Sequence, residues 1–217
     1  MKIKWIAHSC FVIELKDTRK ITFDPFDSSI GYECPMITAD IACITHDHFD
    51  HNEVSKLSPG CTVLSGPGKY EFDGVTVTGI HTFHDKEHGA LRGDNTVYVI
   101  EADGMRLVHF GDIGEIPDES FFKELGKVDI ALIPVGGVYT IDGDEAYELV
   151  KIIEPNIVIP MHYKTLSLTT PLDSVQKFLS AAGGYIDVSR LGNYVFEIEA
   201  ANLKKRSRII VMQPALD

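Results

Sequence analysis

The chain has 217 residues, with 20 Lys and Arg against 32 Asp and Glu, a formal net charge of −12. Apolar residues at 44% and charged residues at 24% exclude disorder, a collagen-like chain and a disulfide scaffold; the length suffices for a buried core, and one domain over residues 1–217 is expected. The acidic balance argues against a long polyanion or an anionic membrane surface as partner, because phosphate contacts need clustered Lys and Arg.

Short runs of β-branched and aromatic residues open the chain. Strands are expected at 2–7, 11–16 and 20–24, with a turn at Lys16-Asp17-Thr18-Arg19 between the last two. Residues 40–45 form another apolar run, followed by strand candidates at 62–64, 75–80 and 96–101. A further strand at 105–110 follows Asp103-Gly104, a dipeptide suited to a tight hairpin. Helices and strands then alternate: a helix at 117–127, a strand at 128–135, a helix at 142–154, a strand at 157–160 and a helix at 171–182. Ala146, Leu149, Val150 and Ile153 share one helical face, and Pro155 and Gly183-Gly184 end the last two helices. Late strands are expected at 194–198 and 208–212. No Pro-, Ser- or charge-rich linker divides the chain. The class expected is α/β, two mixed sheets packed together under outer helices.

Cys10, Cys34, Cys43 and Cys61 form no C-x-x-C pair, so they read as reduced thiols and not as a Cys₄ zinc site. No run approaches the ~18 apolar residues of a membrane span, and the opening residues lack a signal-peptide pattern, so a cytoplasmic protein is expected.

The informative segment is His46-Asp47-His48-Phe49-Asp50-His51, three of nine histidines directly after an apolar strand. In a strand, His46, His48 and Asp50 would share a face and spoil its packing. In a loop at a strand's end the same alternation points them one way and His51 the other, so one peptide can feed two metal ions. Imidazole and carboxylate donors without Cys suit Zn²⁺, Mn²⁺ or Fe²⁺. His84, Asp112 and His162 also follow apolar strands, an arrangement held by a sheet on one side and open on the other.

Together, His46-x-His48-x-Asp50-His51, His84, Gly111-Asp112 and His162 resemble the metallo-β-lactamase superfamily over about residues 2–162. The resemblance implies a four-layer αββα sandwich with its site at one edge of the sheets. It implies one ion on His46, His48 and His84, a second on Asp50, His51 and His162, and Asp112 bridging them. His81, His84 and His88 lie close together; Thr82-Phe83-His84-Asp85 looks like the third motif of compact bacterial members, which favours His84 over His81. Trp5-Ile6-Ala7-His8-Ser9-Cys10-Phe11, Asp24-Pro25-Phe26 and the stretch from Arg92 to Thr96 look like the lactonase/phospholipase D-like branch, L-ascorbate-6-phosphate lactonases included. The chain lacks the long insertions of that branch's larger members.

The chemistry implied is hydrolysis by a hydroxide held on two divalent ions, zinc foremost with manganese or iron as alternatives. The ions lower a bound water's pKa towards ~7 and polarise the scissile oxygen. Asp50 and Asp112 are the catalytic carboxylates, ionised by the metals, and no G-x-S-x-G elbow competes. Thr45, Asp47 and Asp24 are candidates to accept imidazole N–H bonds. Arg92, His8, Tyr163 and Tyr139 are candidates for substrate contact, and the basic stretch 202–208 reads as a solvated edge.

The expected partner is a small molecule, anionic ones included: a lactone, ester or phosphodiester. No membrane span or extended nucleic-acid surface is foreseen, and the oligomeric state is left open. The alternative is a phosphodiesterase or nuclease acting on nucleotides. A diiron oxidoreductase ranks third, because redox members replace the second histidine of the first motif or lose ligands of the second metal, and this chain keeps His48 and His51.

Overall fold

The computed structural model describes residues 1–217. Period-two alternation is clearest at β1 (Lys2–Ala7), which buries Ile3, Trp5 and Ala7 and leaves Lys2, Lys4 and Ile6 partly exposed. With β2 (Cys10–Glu14), β3 (Lys20–Phe23), β4 (Ile41–Ile44), β5 (Thr62–Ser65) and β13 (Val195–Glu197) it forms a six-stranded sheet in the order β13-β1-β2-β3-β4-β5. The second sheet contains β6 (Gly68–Phe72), β7 (Val75–Phe83), β8 (Asp94–Ala102), β9 (Met105–His109), β10 (Ile130–Pro134), β11 (Ile157–Met161), β12 (Asp187–Arg190) and β14 (Arg208–Val211). Its order is β12-β14-β11-β10-β9-β8-β7-β6.

Both sheets are mixed, and their directions agree in a way that positions the site. In the first sheet β1, β3, β4 and β5 run one way and β2 runs against them. In the second, β7, β9, β10 and β11 run together and β8 opposes them. The carboxyl ends of β1, β3 and β4 therefore meet those of β7, β9 and β11 along one edge. This seam carries cross-sheet backbone hydrogen bonds from Thr96 N to Thr45 O (2.9 Å) and from His162 N to His8 O (3.3 Å).

Inward residues of both sheets, including Phe11, Ile13, Phe23, Val97 and Leu107, form the main core. β10 and β11, buried on both faces, read as the continuous apolar runs expected of central parallel strands. The helices α1 (Glu119–Leu125), α2 (Gly143–Ile153) and α3 (Val175–Ala182) all follow β9, and α2 packs on α3. Over the six-stranded sheet the outer layer is mostly irregular chain with single-turn 3₁₀ helices at Ser28–Ile30 and Val54–Lys56. Phe26, Ile30, Tyr32, Ile37 and Leu57 cover Cys10, Val12 and Ala42 there.

Two strands carry no signal in the sequence. β6 buries no residue and β12 is wholly exposed, so neither shows an apolar periodicity; their edge positions explain it. α3 starts at Val175 and not at 171. Asp173 is tied across to other loops, its N–H donating to Gly136 O (2.8 Å) and its C=O accepting from Lys164 N (2.9 Å), so 171–173 stay outside the helix and Ser174 takes the N-cap position. All four cysteines are free. No helix is long and apolar enough to cross a membrane.

Tyr98 of β8 links the sheets at the seam. Its buried hydroxyl lies 3.2 Å from Ile44 O, 3.2 Å from Leu64 O and 3.3 Å from Gly66 O. Tyr98→Phe leaves these acceptors without their shared donor and is expected to cost about 1–2 kcal/mol in urea denaturation with an unchanged m value.

Candidate metal centre

The seam gathers the chemistry-bearing residues in a fixed way. His8 follows β1, Asp24 follows β3, Thr45 to His51 follow β4, His84 follows β7, Asp112 follows β9 and His162 follows β11. Running the other way, β8 begins at the seam and supplies Asn95. His8, Asp24 and His162 all hold positive φ angles of 53°, 46° and 49°. Such non-glycine conformations cost about 1–3 kcal/mol each and cluster where a fold over-determines a site.

Asp24 organises the histidine loop. Its fully buried carboxylate accepts from Thr45 N (2.9 Å), Thr45 Oγ1 (2.8 Å) and His51 Nδ1 (2.9 Å). Because Thr45 Oγ1 donates to Asp24, it is left to accept from His46 Nδ1 at 3.0 Å. Both imidazoles are thereby held with Nδ1 protonated and Nε2 free. Asp47 instead accepts from Asn52 Nδ2 (2.7 Å) at the exposed surface and touches no ligand histidine.

The Nε2 atoms converge. Donor atoms of His46, His48 and His84 lie within 4.8 Å of one another, as do those of His8, Asp50, His51 and His162, and those of His46, His51 and Asp112. Asp112 reaches the first two of these groups: Oδ1 is 3.3 Å from His51 Nε2, and Oδ2 is 3.4 Å from His84 Nε2 and 3.1 Å from His162 Nε2. Asn95 holds that aspartate, its Oδ1 accepting from Asp112 N (3.0 Å) and its Nδ2 donating to Phe110 O (3.0 Å). Gly111 (φ +56°) makes the close approach, since a Cβ there would fall 2.3 Å from Asn95 Oδ1 and 2.7 Å from Thr45 Cβ.

Charge states suit a cation. Burial, then the neighbouring His51, holds His46 well below its usual value, and burial lowers His84. Burial and then His162 push His8 down to about 4, against its bond to Asp50. Burial opposes ionisation of Asp112 and Asp50, yet the surrounding imidazoles hold both carboxyls well below the carboxylate range. Burial disfavours charge on His51 too, but Asp112, Asp50 and Asp24 raise it well above normal.

The donor set fits divalent ions on a second ground. His46 Nε2, His51 Nε2, His162 Nε2 and Asp112 Oδ1 are buried with no partner in hydrogen-bonding geometry. Orphaned buried polar atoms are costly, and four converging on one space fit a metal ion. Of the neighbouring trio, His84 alone joins the cluster. His81 Nε2 faces Asp94 Oδ1 at 2.9 Å on the exposed sheet, and His88 is 78% exposed.

A cavity of about 600 Å³ opens onto the cluster, with His48, Asp50, His84 and Asp112 on one wall and Arg92, Tyr139, Thr169 and Thr170 among its other lining residues. Arg92 lies over the Tyr139 ring, 4.3 Å from its centroid. Asp85 shapes the Arg92 loop by accepting backbone N–H bonds from Glu87, Gly89, Leu91 and Arg92. Two expected substrate contacts sit elsewhere. Tyr163 packs into the core against Trp5 with ring centroids 5.4 Å apart, because the left-handed turn at His162 redirects the chain; Tyr139 holds the pocket position. His8 is 1% exposed and lies behind Asp50, its Nε2 3.3 Å from Asp50 Oδ2.

Asn95, Asp85 and the Thr169–Thr170 pair were not singled out individually by sequence reasoning. For Asn95 the signal exists: a polar amide continues the alternation of Val97 and Val99 at the start of an apolar strand. Asp85 and the two threonines lie in loops and carry no such mark.

A family model for the beta-lactamase superfamily domain matches residues 2–162. The chain belongs to the metallo-β-lactamase superfamily. Within it, a UPF0173 metal-dependent hydrolase of Thermoplasma acidophilum is 32% identical over 227 residues, covering 92% of this chain and 96% of that protein. Its counterpart in Thermoplasma volcanium is 30% identical, covering 88% and 96% respectively. The chain is thus a member of the UPF0173 metal-dependent hydrolase family. A crystal structure from Thermotoga maritima, provisionally assigned as a Zn-dependent hydrolase of the superfamily, superposes with a TM-score of 0.79 at 34% identity over 97% of each chain. The two mixed sheets and few helices are those of the metallo-β-lactamase fold.

Asp24→Ala removes the acceptor common to Thr45 and His51. The purified variant is expected to bind zinc at least about tenfold more weakly than wild type in competition with a chelator, while Asp47→Ala keeps wild-type affinity.

Proposed function

We propose that the chain hydrolyses a small substrate carrying an anionic group, a lactone, ester or phosphodiester, at a centre of two divalent ions, zinc foremost. The observation that carries this reading is the facing of two chemistries in one cavity: the His/Asp cluster on one wall, the Arg92 guanidinium on another. His46, His48 and His84 would hold one ion, Asp50, His51 and His162 the other, with Asp112 between. Bound there, the ions would supply an activated water and polarise the scissile oxygen.

The residues of the chain account for the remainder. Asp24, through Thr45, presents His46 and His51 with their lone pairs inward. Asn95 fixes Asp112 at the boundary between the two groups. Arg92, aligned on Tyr139, offers a fork of donors to a phosphate or carboxylate, and Thr169 and Thr170 bring hydroxyls to the same space. A cavity of about 600 Å³ suits a metabolite-sized molecule. That size and the charge of −12 weigh against the nuclease alternative.

The reading is tested with a panel of lactones, carboxylic esters, phosphodiesters and cyclic nucleotides on zinc- and manganese-loaded protein. Asp112→Ala is expected to lose at least one bound ion and nearly all turnover; undiminished turnover refutes the bridging assignment. Arg92→Ala is expected to raise KM about tenfold or more for anionic substrates with little change in kcat, and to leave neutral esters unaffected. Equal losses on neutral and anionic substrates would refute the anion-binding role.

A further inference from the structure

His8 and His109 are both fully buried histidines near the seam, and they differ in one respect. His109 is satisfied at both nitrogens, Nε2 bonding Ser9 O (2.9 Å) and Nδ1 accepting from Gly111 N (3.1 Å). It is a structural tie. His8 has no partner at Nδ1, and its Nε2 meets only Asp50 at 3.3 Å. Its ring lies 4.2 Å from the His162 ring and 5.3 Å from the His51 ring, centroid to centroid. The backbone fixes this placement: His8 holds φ +53°, and its carbonyl accepts from Trp5 Nε1 (3.0 Å) and His162 N (3.3 Å). An imidazole held this firmly, in a strained conformation and short of partners, is preorganised for a ligand.

We infer that His8 is a further protein donor to the second ion, beside Asp50, His51, His162 and the shared Asp112, so that the two metal positions are unequal. Donor atoms of His8, Asp50, His51 and His162 lie within 4.8 Å of one another. Of these four residues only Asp50 lines the cavity. The other group, His46, His48 and His84, has three donors, and two of its residues line the cavity. Counting Asp112, which reaches both, the second position has five protein donors and the first four; the more fully ligated position, set back from the cavity, holds its ion more tightly, and the one with two histidines on the cavity wall meets water and substrate. The second position therefore loads first and stays loaded. The first is the exchangeable ion that meets substrate, and Asp112, in reach of both, couples them. This assignment rests on the two-ion reading above.

Metal-free full-length protein titrated with Zn²⁺ and Co²⁺, followed by calorimetry and visible absorption, tests it. Wild type is expected to take two ions in two separated steps. His8→Ala weakens the tighter step by about 100-fold or more, alters the Co²⁺ spectrum of the first equivalent, and leaves the weaker step in place. His48→Ala does the reverse. His8→Gln separates a donor from a mere holder of Asp50, because its amide can still donate to the carboxylate but offers no imidazole nitrogen. Loss of the tight step in His8→Gln supports the donor role, and wild-type binding by that variant overturns it. Two equal steps in wild type, or an unaltered titration of His8→Ala, overturn it while the two-ion reading stands. A wild type that takes up a single ion overturns both. Should His8→Ala fail to fold by circular dichroism, His8→Gln and the wild-type loading order decide the matter.

Discussion

The buried Asp24 carboxylate is the constraint on which the site depends. It carries a charge with no solvent exposure and meets it with three hydrogen bonds, all from the loop that leaves β4. A buried carboxylate without such partners would be costly, so the Thr45–His51 loop has little freedom once β3 and β4 pair in parallel. Loop conformation, imidazole tautomer and the inward aim of Nε2 on His46 and His51 follow from one interaction. The metal-binding peptide is therefore shaped by a residue some twenty positions earlier in the chain.

Strand direction does for the distant residues what Asp24 does for the local ones. A side chain one step beyond the end of β7, β9 or β11 reaches the same edge only because these strands run together, with β8 against them. The cross-sheet bonds from Thr96 to Thr45 and from His162 to His8 then bring the two edges into register. Backbone strain falls at the same residues. Holding His8, Asp24 and His162 in the left-handed region requires the surrounding sheets to supply the stability, which the fully buried β10 and β11 and the core beneath them do. The rigid part of the fold and the strained part are adjacent by necessity.

This division explains what the sequence made legible. His46 to His51 stand out because three imidazoles and two carboxylates interrupt an apolar run, a pattern with no use in packing. His84, Asp112 and His162 are visible as strand-end residues, but only their joint occurrence and the family resemblance single them out. Periodicity also locates most strands, since burial alternates along them. It is silent on β6 and β12, which bury almost nothing, and on the start of α3, which a backbone contact to Gly136 decides. The departure of Tyr163 from the pocket, which Tyr139 keeps, has the same origin: the direction of the residue after His162 depends on a positive φ angle that no apolar pattern encodes. His8 is legible only as a candidate substrate contact, for a different reason. One histidine at a strand's end is an ordinary cap until the fold shows it fully buried with a nitrogen to spare.

The electrostatics of the seam reconcile an acidic protein with an anionic substrate. Asp24, Asp50 and Asp112 place three carboxylates within hydrogen-bond or ion-pair reach of one buried imidazole, His51. Three carboxylates in low-dielectric surroundings favour cations strongly. Two divalent ions, as proposed, add four positive charges to the three carboxylates, and the net charge of −12 becomes −8. The change is concentrated where it matters. The cluster passes from negative to positive, and Arg92 at the cavity wall adds a further positive charge at a position that Asp85 and Tyr139 hold fixed. Under the proposed loading a small anion entering the cavity would meet a positive floor, while the overall acidity of the chain would disfavour a nucleic acid strand.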